Sequence, residues 1–166
     1  EANRYFKMAA DQGYIKAMRF YAFSLDNGDG IPVDKVEASK YYKKATDGGD
    51  EICMHDYAIM LESGEGIPVD ILEAKRYFKM AADKGYVKSM IRYAMLTDKV
   101  DGDHNEALRY YKMAADSGDK DAKEIYQLAH KIYGDDTADT AECGDSASQK
   151  TRRDASSQSS KCCILI

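Results

Sequence analysis

The sequence has no tryptophan, two prolines, three histidines and four cysteines among its 166 residues. Each scarcity excludes something. Cys53, Cys143, Cys162 and Cys163 match neither a disulfide framework nor a zinc site, so a reducing compartment is the simpler reading. None of His55, His104 and His130 has a Cys or His at metal-ligand spacing, and each reads as an exposed surface residue. No apolar run reaches the ~18 residues that a membrane-crossing helix needs. No secretory signal opens the chain, so a cytoplasmic location is expected. There is no basic block and the net charge is −5, which argues against nucleic acid as a partner. Gly-Lys-Ser/Thr is missing, so the Gly-x-Gly pairs at Gly28 and Gly64 read as turns rather than phosphate loops. Ligand-like spacing of Asn27, Asp29 and Gly30 lacks the first and last positions of a calcium loop. No nucleophile, base and acid converge in the pattern. The expectation is a non-enzyme without cofactor or metal.

Repetition is what the chain has in abundance. RYFKMAAD runs from Arg4 to Asp11 and again, letter for letter, from Arg76 to Asp83; KYYKKATD (Lys40 to Asp47) and RYYKMAAD (Arg109 to Asp116) are degenerate copies. Alignment on Tyr5, Tyr41, Tyr77 and Tyr110 gives spacings of 36, 36 and 33. Such a period is the mark of a helical solenoid. Each unit reads as two helices. Helix B opens on Asp34, Asp70 or Asp103, with Glu37, Glu73 or Glu106 three residues on, in the form of a capping box. It carries Ala and Tyr at helical spacing (Ala38, Tyr41, Ala45; Ala74, Tyr77, Ala81) and ends at Gly13, Gly49, Gly85 or Gly118, suited to a left-handed C′ position. In the paired aromatic steps, such as Tyr41-Tyr42, one ring is expected inside and one partly out. Helix A follows, with core faces Ala17, Met18, Tyr21, Ala22, Leu25; then Cys53, Met54, Tyr57, Ala58, Leu61; then Ser89, Met90, Tyr93, Ala94, Thr97. Cys53 thus reads as a small core residue. GDGIPVD and GEGIPVD join A to B, and Pro32 and Pro68 hold the preceding Ile out of helical geometry. The third linker, Lys99 to Gly102, is three residues shorter and lacks Pro, so the geometry there need not follow the other two.

This pattern resembles the Sel-1-like repeat, a relative of the tetratricopeptide repeat. The family's helix A motif runs Leu-Gly-x-x-Tyr-x-x-Gly-x-Gly-Val and then Asp; Tyr57-Ala58-x-x-Leu61-x-x-Gly64-x-Gly66-Ile67 and Asp70 hold those places. Glu73-Ala74-x-x-Tyr77 followed by Ala81 and Gly85 matches its second half with a shift of one at the Ala pair. Tyr-Ala stands for Leu-Gly, and Leu for the motif Tyr. The implied fold is all-α: a right-handed α-solenoid of helix-turn-helix repeats with period 33–36. The expected divisions are 1–13 (helix B alone), 14–49, 50–85, 86–118, a capping helix over 119–133 with Lys123 and Gln127 at core places, and a disordered tail over 134–166.

Function is expected on the concave side, lined by helix A. There Lys16, Arg19, Phe20, Phe23, His55, Asp56, Lys88 and Arg92 vary between copies while the core positions hardly change. The resemblance implies a scaffold or adaptor that binds proteins or peptides. Phe23, Ile59 and Met95 equally suit packing against the next repeat. Residue 1 falls inside a helix B, so a longer protein is expected upstream; an enzyme there, such as a kinase, would make the array its docking module. The tail ends Cys162-Cys163-Ile164-Leu165-Ile166, the form of a prenylation box at Cys163, with Cys162 available for a second lipid. Lys150, Arg152, Arg153 and Lys161, opposed only by Asp154, would add attraction to anionic lipid. Peripheral attachment to a cytoplasmic membrane face is the expectation.

Overall fold

The computed structural model describes residues 1–133. The expected tail, with its lipidation cysteines Cys162 and Cys163, lies outside the described residues. Eight α-helices follow one another: α1 (Ala2–Asp11), α2 (Ile15–Asn27), α3 (Lys35–Asp47), α4 (Glu51–Ser63), α5 (Ile71–Asp83), α6 (Val87–Leu96), α7 (His104–Asp116) and α8 (Lys120–Tyr133). Among the described residues there is no strand. Each helix packs on the next, which makes an α-solenoid with two rows. Helices B (α1, α3, α5, α7) form one row and helices A (α2, α4, α6, α8) the other.

The starts are fixed by acid caps. Asp34, Asp70 and Asp103 each accept, through Oδ1, the backbone N–H of Glu37, Glu73 and Glu106 at 2.9 Å. The reciprocal half of the capping box does not form. The N–H groups of Asp34 and Asp70 donate instead to the carbonyls of Leu25 and Leu61 at 2.9 Å, closing the linker onto helix A of the same repeat. Glu106 turns away and accepts from the Tyr93 hydroxyl at 3.0 Å. Helices B end as read, with Gly13, Gly49, Gly85 and Gly118 at φ of 94, 90, 94 and 95°.

Between the rows sits a core of small and aromatic side chains. Ala22, Ala38, Ala45, Ala58, Ala74, Ala81, Ala94, Ala107 and Ala114 are wholly excluded from solvent, as close helix contact requires. Each full repeat pairs a helix A tyrosine edge-to-face with a helix B tyrosine: Tyr21–Tyr41 at 4.9 Å, Tyr57–Tyr77 at 5.1 Å and Tyr93–Tyr110 at 4.5 Å between centroids. Three of the four aromatic steps depart from expectation, because both rings are buried in Tyr41-Tyr42, Tyr77-Phe78 and Tyr110-Tyr111, whereas in Tyr5-Phe6 Phe6 packs against the core and Tyr5 is exposed. The first ring faces helix A of its own repeat. The second is buried as well, and Phe78 meets the ring of His55 on α4 at 5.4 Å.

The third linker also finds its reason. Helix α6 continues as a π turn over Thr97–Asp101 and stops at Gly102, φ 67°. The wider winding carries the chain straight to the Asp103 cap, so the missing linker residues are not needed. Lys75 pairs with Asp101, and Asp98 accepts from the Tyr133 hydroxyl at 2.9 Å, tying the π turn to α5 and α8. The closing helix buries Ala122 and Ala129 and exposes Lys123 and Gln127. No described helix is long and apolar enough to cross a membrane.

Candidate functional site

On the helix A row, α2, α4 and the start of α6 enclose a groove of about 400 Å³. Arg19, Phe20 and Phe23 line it from α2, Ile52 and Asp56 from α4, Tyr86 and Lys88 from α6. Five of the eight residues expected to bind a partner therefore meet at one place: Arg19, Phe20, Phe23, Asp56 and Lys88. The rings of Phe20 and Phe23 remain 48% and 49% exposed within a well-packed array. Phe20 is held in place, stacked on Phe6 at 5.4 Å and 23°, with the Arg19 guanidinium 5.4 Å from its ring.

The remaining three residues stand elsewhere. Lys16 is exposed outside the groove. Arg92 reaches Glu62 at 3.6 Å. His55 corrects both expectations made of it, because it is neither exposed nor on the binding surface. Its ring lies between Phe78 and Tyr86, and its Nδ1 is 2.8 Å from Ser89 Oγ of the next helix A. Burial, with Arg92 and Lys88 nearby, pushes its pKa down to about 4, so the imidazole is neutral at pH 7. His55 is an inter-repeat packing residue.

The charges of the groove are unequally satisfied. Arg19 donates to Asp50 Oδ2 at 2.9 Å, and Asp50 also caps α4 by accepting from the Cys53 N–H at 2.9 Å. Asp26 holds Lys35 at 2.6 Å. Asp56 makes no side-chain hydrogen bond or ion pair among the described residues. Burial, then repulsion from Asp26 and Asp50, raises its pKa to about 6 despite Lys88 and Arg19. Cys53 is buried beneath the groove with its thiol pKa pushed up, so it is no nucleophile.

An apolar line extends the surface. Phe23, Ile59, Met95 and Leu128 occupy the same place in successive helices A, ten residues after Gly13, Gly49, Gly85 and Gly118. Phe23, Met95 and Leu128 are about half exposed or more, whereas Ile59 packs partly against the core. Reading the sequence missed Leu128 and Tyr86. Leu128 was legible in the same register. Tyr86 stands at the cap position occupied by Tyr14 and Asp50 in other copies, outside the helix proper.

The comparisons agree with this architecture. The Sel1 repeat model matches residues 1–14, 15–50, 52–86 and 87–119. A Sel1 repeat protein from Oxalobacter formigenes has a similar structure, with TM-score 0.75 and 29% identity over 80% of this chain and 56% of that one. A protective antigen of uropathogenic Escherichia coli with an SLR fold aligns with TM-score 0.77 and 20% identity over 85% of this chain and 31% of its own. Helicobacter pylori cysteine rich protein B aligns over 52% of this chain and 65% of its own, with TM-score 0.50 and 22% identity. The chain thus spans about half and about a third of the length of the first two. No curated protein matches the sequence.

Proposed function

The chain belongs to the Sel1 repeat family, and from that premise we propose that it is a non-catalytic scaffold whose partner docks on the helix A row. Proteins of this family are generally protein-interaction scaffolds. The groove at Phe20 and Phe23 is the observation that carries the reading for this chain. Two half-exposed rings, one of them held by Phe6 and Arg19, flank a charged floor, and aromatic side chains with adjacent Arg are the usual anchors of protein interfaces. The row of Phe23, Met95 and Leu128 would extend contact along the array, on the side read from the sequence as concave.

Photo-crosslinking tests this. A crosslinker at Lys88, exposed on the rim of the groove, should capture partner peptides, and one at Val36, which is exposed on helix B, should not. The Phe20→Ala/Phe23→Ala double variant should keep its helicity and lose the capture. Undiminished capture by that variant would sink the assignment. Arg19→Glu is a poor probe, because Arg19 holds the acid that caps α4.

Membrane attachment is proposed on the residues Cys162-Cys163-Ile164-Leu165-Ile166 alone. A prenyl group on Cys163, aided by a second lipid on Cys162 or by the basic stretch before it, would hold the scaffold on a cytoplasmic membrane face. Mass analysis of the C-terminal peptide of the native protein asks whether it ends at Ile166 and carries a lipid. Fractionation beside Cys163→Ser then reads the tether, and equal soluble fractions would eliminate it.

A further inference from the structure

We propose that the groove between α2, α4 and the start of α6 takes a basic side chain of the partner, an Arg or Lys flanked by apolar residues, with Asp56 as its counter-ion and Phe20, Phe23 and Ile52 as its walls. This rests on the docking reading above and names the chemistry that the docked segment must present.

The argument is one of charges left over. Three acids stand near the groove floor. Asp26 holds Lys35, and Asp50 holds Arg19 while capping a helix. Asp56 has no cation of its own among the described residues. Its carboxylate is partly covered and has gained no partner in exchange for the hydration it gives up, which is a cost in the free protein. Its raised pKa is the signature of that deficit, with burial first and the two neighbouring acids next. A ligand cation would end the deficit. An anionic ligand would meet Asp56 in the lining and would find Arg19 already committed; Lys88 is exposed and hydrated, so it has least to gain from a new partner.

The walls say why the cation belongs to a peptide. A volume of about 400 Å³ with apolar sides on α2 and α4 holds one long side chain and an apolar neighbour, far more than a simple ion fills. An aliphatic stem can lie against Ile52 and Phe23 while its charged head reaches Asp56. A guanidinium can also stack on the half-exposed ring of Phe23.

The groups that face Asp56 define the pH response. They are Asp26 and Arg19 from α2, Tyr42 from α3, Asp50 at the cap of α4, and Tyr86 and Lys88 from α6. Burial raises both tyrosines, away from the acid range. His55, next in sequence, is neutral above about pH 4. Asp56 is therefore the group that changes charge near pH 6, and affinity for a cation should rise with pH through that range.

NMR titration of the full chain with three capped peptides tests the proposal: Leu-Arg-Phe, Leu-Gln-Phe and Leu-Glu-Phe. The Arg peptide should shift the amides of Phe20, Ile52 and Asp56 and bind about tenfold more tightly than the Gln peptide, as a charged hydrogen bond warrants. Asp56→Asn, nearly isosteric, should bring Arg down to Gln and abolish the rise in affinity between pH 5 and 7.5. Equal binding of all three peptides at those amides would overturn the cation and leave the docking reading standing. The same follows from a pH response that persists in Asp56→Asn. Shifts confined to helices B would overturn both. Silence at every amide would overturn the cation pocket, leaving the crosslinking above to judge the docking face.

Discussion

The Tyr110 hydroxyl donates to Asp83 Oδ1 at 2.8 Å and accepts from Lys79 Nζ at 2.6 Å. Lys79 and Asp83 are the fourth and last residues of the second RYFKMAAD, and Tyr110 is the second residue of the copy after it. Tyr41 meets Asp11 at 2.7 Å and Lys7 at 3.2 Å in the same way. The octamer recurs because each copy grips the tyrosine of the next. Its Lys and Asp lie on one face, four residues apart, and the following Tyr comes between them. Tyr77 takes only half of this arrangement, accepting from Lys43 at 3.2 Å.

That inequality is testable. Tyr110→Phe should cost about 1 kcal/mol, since it removes two hydrogen bonds at a buried ring whose partners stay hydrated. Tyr77→Phe, losing one longer bond, should cost about half as much. Urea midpoints of the two variants decide it, and an equal or reversed order would show that the clamp adds little to repeat stacking.

Two adjacent residues should oppose each other in acid. The folded pKa of His55 is lowered from 6.5 to about 4, so the unfolded chain binds its proton first and stability falls as pH drops from 6.5 to 4. That of Asp56 is raised from 3.8 to about 6, so the folded chain binds the proton first and stability rises as pH drops from 6 to 3.8. Each effect is worth about 3 kcal/mol at full strength, with opposite sign in nearly the same window. Wild type should be almost flat there on their account. Asp56→Asn should be more stable than wild type at pH 7.5 and should lose stability towards pH 4. Denaturant titrations across this range check both signs.

Gly66 stands at φ 77°, and a Cβ there would run into the backbone carbonyl of Lys35. Gly85, at φ 94°, has open space around it. Gly85→Ala should therefore cost about 1 kcal/mol in backbone strain, and Gly66→Ala about 2–4 kcal/mol, because the linker of one repeat must move off the first turn of the preceding helix B. Thermal unfolding of the two variants measures the difference.

Ala81 is wholly buried where α5 meets its neighbours. Ala81→Leu should overpack that contact and lower stability by about 1–3 kcal/mol. An unmoved denaturant midpoint would show that the helices can separate there without cost.

The sequence by itself determined the repeat, its helix starts and stops, and the face each helix turns inward. Those are written locally: an Asp before a helix, a Gly after it, and Ala and Tyr one helical turn apart. The Asp34 and Asp70 caps, the left-handed glycines and the buried faces from Ala17 to Thr97 all stand where the spacing puts them. What only the tertiary structure decided lies between repeats. His55 was read as exposed because nothing near it in sequence covers it; Phe78, Tyr86 and Ser89 do, from the following helices. The second rings Tyr42, Phe78 and Tyr111 also went inside, where a single helix period puts only the first. The reciprocal capping bond gave way to Leu25 and Leu61, whose carbonyls the linker brings within reach. Among the described residues Asp56 is left without a cation, because Asp50 and Asp26 already hold Arg19 and Lys35. A helical period fixes one face of a helix, whereas an array encloses a second face with residues one repeat away. It is on that second face that the groove is built.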